Sequence, residues 1–171
     1  MVGRMSGRLL AATDVLALLV RRGETVAVAE SLTAGLICAA LTGPPGASAA
    51  VRGGVVSYAT ELKHRLLAVP ADLLAREGAV HPEVAAAMAH GVRLLTGSTY
   101  GLAATGVAGP DPQDGKPVGT VHLAVSGPDG RVWHRDPRLA GTRDQIREST
   151  VNEAVDLLRG VLETNVREHS G

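Results

Sequence analysis

Phenylalanine is absent from this 171-residue chain, and its aromatic side chains are Tyr58, Tyr100 and Trp133 alone. Proteins that hold single-stranded nucleic acid stack bases on several aromatic faces gathered on one surface, so that mode of binding is excluded. Charge of one sign is also missing. The 17 Lys and Arg are balanced by 17 Asp and Glu, with no basic run of the kind a polynucleotide partner requires. Cys38 stands alone, so no internal disulfide can form, as expected in a reducing compartment. No apolar stretch approaches the ~20 residues of a membrane helix, and the start, with Arg4 and Arg8 among Gly and Ser, lacks the apolar run of a signal peptide. These absences predict a cytoplasmic protein with neither a membrane nor a nucleic acid as partner. Metal ligation is not expected either. The six histidines, at 64, 81, 90, 122, 134 and 169, are scattered, with no H-E-x-x-H motif and no cysteine pair.

What is present is a 45% apolar chain with 21 glycines, whose core must be built from Ala, Val and Leu. Its length suits one domain, 1–171, with its core at about 8–166. A helical stripe of Leu9, Leu16, Leu19 and Val20 predicts a helix from Ser6 to Arg22, ended by Gly23. TVAVA (25–29) reads as a buried strand, followed by a helix over about 33–42. A second strand lies within 51–58, and short helices follow over 60–67 and from Pro70 to Gly78. His81 and Pro82 open a longer helix to Leu95, with Ala85, Met88, Ala89 and Val92 on one face. A third strand spans 99–104, and residues 118–126 and 131–139 pair as a hairpin across the turn GPDG. Thr142 with Gln145 forms a capping box for a last helix to about Glu168.

Three strands end in polar or glycine-rich sequence: AESLTAG (29–35), SYATELK (57–63) and ATGVAGPD (104–111). In open α/β sheets, ligands collect outside the carboxyl ends of strands, so these ends could line one pocket. Ser31, at a strand-to-helix junction, is either a helix cap or a nucleophile whose oxyanion meets unpaired backbone amides. Glu30 and Thr33 are either pocket walls or helix-start polarity. No G-x-S-x-G elbow and no histidine in a triad context accompanies Ser31. Lys63 is either a solvated charge or, if burial keeps it neutral, a base. Tyr58, five residues earlier, either relays a proton or fills a strand end. Gly106 and Gly109 permit close approach of a phosphate or ribose, or simply shape a loop. Arg143 and Arg147, four apart at the start of the last helix, form either an anion site or an exposed pair.

Taken together, AESLTAG, GGVVSYATELK, EGAV, ATGVAGPD, KPVGTV and GTRDQIR, in that order from about Leu10 to Leu162, closely resemble the C-terminal domain of the competence/damage-inducible protein CinA. Stand-alone members of that family include nicotinamide mononucleotide deamidases. The resemblance and the order of elements imply one three-layer α/β domain, a mixed sheet flanked by helices. The resemblance further implies a Ser–Lys amidohydrolase that converts nicotinamide mononucleotide to nicotinic acid mononucleotide and ammonia, without metal or cofactor. Ser31 would be the nucleophile, Lys63 its base and Tyr58 a third catalytic residue. Glu30, Thr33, Gly35, Thr105, Gly106, Gly109, Arg143 and Arg147 would contact substrate, with Arg143 or Arg147, from either subunit, on its phosphate. A dimer or higher homo-oligomer is implied. The large N-terminal domain of longer members, with any pyrophosphatase activity attached to it, is expected to be absent. This chain departs from the family pattern at Ala59 and Thr60, where Ser-Asn is usual, at His81, where Ser is usual, and at Ala34, often Gly. Two other functions fit the same residues: a nucleotide-binding sensor that has lost catalysis, and a Ser–Lys amidase acting on another carboxamide.

Overall fold

The computed structural model describes residues 2–168, and side chains for residues 7–165; the side chain of Arg4, and His169, lie outside these. Five strands form one sheet in the order β2-β1-β3-β4-β5. β1 (Val26–Glu30), β2 (Val51–Val56) and β3 (Tyr100–Gly106) are parallel, whereas β4 (Val121–Ser126) and β5 (Val132–Arg135) continue antiparallel. The three inner strands, β1, β3 and β4, are apolar on both faces, as a sheet covered on two sides demands.

One face carries α1 (Val2–Arg22), α2 (Leu36–Thr42) and α6 (Arg143–Glu168); its core includes Leu16, Ile37, Leu102, Leu123 and Leu158. The other carries α3 (Thr60–Leu67), α4 (Ala71–Glu77) and α5 (Pro82–Thr96), packed through Leu67, Leu73, Val84 and Met88 on Ala27, Ala103 and Ala124. The result is the expected three-layer α/β domain with a mixed sheet. β1 connects to β2 through α2 on one face, and β2 to β3 through α3–α5 on the other. The chain leaves β1 and β2 toward opposite faces, and the carboxyl ends of all three parallel strands open at one edge of the sheet.

Elements depart from the sequence expectation in instructive places. On α1 the buried stripe is Ala12, Val15, Leu16 and Leu19; Leu9 and Val20 are about half exposed, so the stripe is shifted around the helix. α2 begins at Leu36 rather than 33, because residues 31–35 form a separate turn. The hairpin is shorter than expected. β5 ends before Pro137, which has no N–H for a ladder, and only an isolated bridge joins Thr120 to Arg138 beyond it. The Thr142–Gln145 capping box is reciprocal: the Thr142 amide donates to Gln145 Oε1 (2.9 Å), and the Gln145 amide to Thr142 Oγ1 (3.3 Å).

Two glycines let α5 settle. A Cβ on Gly101 in β3 would collide with the Ala89 carbonyl, and one on Gly91 with the Leu67 carbonyl at the end of α3. These close approaches pack α5 between the sheet and α3, the helix that carries Lys63.

Candidate active site

Ser31 follows β1 directly, and its amide extends the β1–β3 ladder by donating to the Ala104 carbonyl (3.1 Å). Ser57 follows β2 and continues the same ladder on the other side, its amide donating to the Glu30 carbonyl (2.9 Å). α3 then returns over the strand ends and inserts Lys63, which is fully buried. The Lys63 ammonium nitrogen Nζ contacts three oxygens: Ser31 Oγ at 3.0 Å, the Ser57 carbonyl at 2.6 Å and the Tyr58 carbonyl at 3.4 Å.

Hydrogen-bond inventory decides what this contact can do. A carbonyl only accepts, so both carbonyls need an N–H from the amine. The neutral amine has two, and its lone pair is then left for Ser31, the one partner that also carries a proton. Burial lowers the pKa of Lys63 from the ordinary 10.5 to about 8, against the carboxylates of Asp114 and Glu61, which hold it up. An uncharged amine facing a hydroxyl is therefore accessible near neutral pH.

A cleft of about 280 Å³ opens beside this pair, at the small end of small-molecule sites. Ser31, Tyr58, Gly106, Gly109 and Arg143 line it, joined by Asp111 and Gln113 from the loop after β3. Tyr58 is 58% exposed, so its ring stands at the rim rather than in the core. Its phenol accepts from an Arg143 guanidinium N–H (3.2 Å), and a second N–H of Arg143 donates to the Gly109 carbonyl (2.6 Å). Tyr58 thus meets Lys63 through its backbone and Arg143 through its side chain.

Five other residues from the same motifs sit off this lining. The Glu30 carboxylate is buried and accepts the amides of Ile37 (2.9 Å) and Cys38 (3.0 Å) at the start of α2. Gly35 precedes α2 with φ +98°, a conformation suited to glycine. Thr33 is buried, and its Oγ1 has no hydrogen-bond partner among the described residues. Thr105 donates its hydroxyl to the Ala79 carbonyl (2.7 Å), tying β3 to the turn before α5. Arg147 points its Nε at the Leu32 carbonyl (2.9 Å) and a terminal N–H at the Thr33 carbonyl (3.5 Å). His81, one of the departures from the family pattern, caps α5 through Nδ1, which accepts the Glu83 amide (3.2 Å); Ala59 and Thr60, the other two around Tyr58, line the cleft.

Sequence reasoning missed Ser57, whose contribution is a carbonyl, together with Asp111, Gln113 and Asp114. Ser57 stands inside the SYATELK segment, but a backbone contact leaves no mark on residue identity. Among the described residues no group of three or more His, Cys, Asp or Glu is arranged to hold a metal, and no helix is long and apolar enough to cross a membrane. Burial pushes the Cys38 thiol up, with Glu30 adding to it, so this sulfur is poorly ionised.

Fold and site together define a class: α/β domains with a buried serine–lysine pair at the carboxyl edge of a parallel sheet segment. Residues 10–162 match the family model of the CinA C-terminal domain, and the chain belongs to that family. It is 60% identical over 148 residues to a CinA-like protein of Frankia casuarinae, covering 86% of this chain and 34% of the relative. A CinA-like protein of Parasynechococcus marenigrum is 50% identical, covering 86% and 36% respectively. The chain thus spans about a third of the curated relatives it matches. Solved structures agree over nearly their whole length. The competence/damage inducible protein CihA of Agrobacterium tumefaciens superposes with a TM-score of 0.87 at 37% identity, covering 91% of this chain and 95% of that one. The competence damage-inducible protein A of Klebsiella pneumoniae gives 0.88 at 30% identity, covering 91% and 97%.

Proposed function

We propose that this chain is an amidohydrolase that converts nicotinamide mononucleotide to nicotinic acid mononucleotide and ammonia. The observation that carries the reading is the 3.0 Å contact between the buried Lys63 amine and the Ser31 hydroxyl, with two carbonyls taking up the amine's protons. Ser31 Oγ attacks the carboxamide carbon while Lys63 accepts its proton. The tetrahedral oxyanion rests on backbone amides of the turn after Ser31; the Ser31 amide itself is committed to Ala104. Collapse breaks the C–N bond, and Lys63 returns the proton to the departing nitrogen, giving ammonia and an acyl-enzyme. Water, deprotonated by the same amine, then releases the carboxylate and restores Ser31. Arg143, at the rim of the cleft, receives the substrate phosphate, and Gly106 and Gly109 line the cleft through their backbone, since a Cβ on either would meet Thr120 and Val121 or Val118. The reading includes a cytoplasmic, homo-oligomeric enzyme that uses no cofactor.

Incubation with nicotinamide mononucleotide should release one ammonia per nicotinic acid mononucleotide formed. Base and oxyanion donors each contribute on the order of 10²–10³ in rate, so Ser31→Ala should lose at least that while keeping its fold. Tight binding of the nucleotide by the wild-type chain without ammonia release would favour a sensor module instead. Ammonia from other carboxamides alone would move the substrate and keep the chemistry.

A further inference from the structure

The turn that presents Ser31 is held from both ends by charged side chains. From the strand side, Glu30 is 1% exposed and folds its carboxylate under α2, where its two oxygens accept the amides of Ile37 and Cys38. α2 has no side-chain cap at its own N-cap, Gly35, so this carboxylate supplies the missing acceptors. From the helix side, Arg147 in α6 grips the carbonyls of Leu32 and Thr33, the two residues after the nucleophile.

Between these grips the backbone is left-handed at two successive residues, of which only Ala34 is strained by it. Ala34 has φ +48° and Gly35 φ +98°. A residue with a Cβ in the left-handed region costs roughly 1–2 kcal/mol, and such conformations persist only where their surroundings over-determine them. The turn's own bonds are two: the Ala34 amide to the Ser31 carbonyl (3.1 Å) and the Leu36 amide to the Thr33 carbonyl (3.0 Å).

We propose that Glu30 and Arg147 are positioning residues that clamp the Ser31 turn, rather than groups that contact substrate. The catalytic consequence rests on the Ser31–Lys63 reading above, while the clamp itself does not. Arginine suits this position because its planar fork reaches two neighbouring carbonyls, which a lysine ammonium on a flexible stem does less well. Among the described residues the acid paired with it is the exposed Asp144, 4.0 Å away and too far for a firm bond, so the two carbonyls are its main partners.

Kinetics with nicotinamide mononucleotide and with nicotinamide riboside, which lacks the phosphate, separate the roles. Arg147→Ala should lower kcat for both substrates alike, by roughly 10–100-fold, with KM changed less than about twofold, and Arg147→Lys should recover part of the loss. Hydrogen exchange across residues 31–38, measured without substrate, should accelerate in Arg147→Ala and in Glu30→Gln. A loss confined to the KM of the phosphorylated substrate, with exchange unchanged, would overturn the clamp and put Arg147 on the phosphate. Unchanged exchange in both variants would overturn it as well. If the wild-type chain released ammonia from neither substrate, the hydrolase reading would fail on its own, and the exchange measurement would still decide the clamp.

Discussion

Ser31 Oγ and Lys63 Nζ lie 3.0 Å apart in the folded chain, although 32 positions separate them in the sequence. The amine is fully buried and made less basic by that burial, and the carbonyls of Ser57 and Tyr58 orient it toward the hydroxyl. The charged form of this lysine costs folding free energy, and the proposed chemistry also requires the neutral form, so both favour loss of its proton.

The first consequence concerns pH. In the proposed mechanism the base is the neutral amine, so kcat/KM for ammonia release should climb as pH rises through about 8. Stability follows a linked course. Lys63 is less basic folded than unfolded, so the cost of burying its charge is present in full below about pH 8 and fades as pH approaches 10.5, where the unfolded chain loses its proton too. Urea unfolding of wild type and Lys63→Met should show the wild type gaining up to about 3 kcal/mol relative to the variant between pH 7 and 10.5. Parallel pH profiles for the two proteins would show that the amine is not perturbed.

Asp114 gives a test of opposite sign to the usual loss of function. Its carboxylate accepts the Ala79 amide (3.0 Å) and is the leading charge that keeps Lys63 protonated. Asparagine keeps an acceptor and suits the left-handed backbone of this turn, where φ is +51°. Asp114→Asn should therefore move the acid limb of the activity profile down by a few tenths of a pH unit, since the exposed carboxylate is screened by water. At pH 7 the variant should be faster than wild type. A shift upward, or none at low ionic strength, would remove Asp114 from the electrostatics of the amine.

Arg143 is expected to act on affinity. Losing a charge-assisted contact to a phosphate costs about 1.5–3 kcal/mol, so Arg143→Ala should raise KM for nicotinamide mononucleotide roughly 10–100-fold. The riboside should feel little of this. Equal losses on the two substrates would mean that Arg143 only ties Tyr58 to Gly109.

Gly91 offers a packing test far from the chemistry. A Cβ there would be driven into the Leu67 carbonyl, pushing α5 away from α3. Overpacking of this kind costs about 1–3 kcal/mol, or several degrees in Tm for a chain of this size. Because α3 carries Lys63, the same variant should also lose activity below its melting range. A wild-type Tm would mean that the two helices separate at no cost.

Much of this molecule was legible in its residues. Thr60–Leu67 and the Thr142–Gln145 box follow from periodicity and local capping chemistry, which depend on neighbours a few positions away. The strand ends were visible as polar or glycine-rich breaks after apolar runs. The roles of the charged residues within those motifs were not. Glu30 and Arg147 look like ligand contacts by type and place, yet Glu30 terminates on backbone amides at the start of α2 and Arg147 on carbonyls of the Ser31 turn.

The chain by itself determined most of its elements and apolar faces, because these are written in side-chain type and spacing, whereas Ser31 and Lys63 stood out only through the resemblance of their segments to a known family. Tertiary structure alone decided that β1 and β2 run parallel and adjacent, so that Ser31 and Ser57 emerge side by side, and that α3 folds back to bury Lys63 between them. Only then does desolvation act on the amine, and only then do two carbonyls orient it. Those effects arise from proximity between distant segments, which composition and local pattern do not encode.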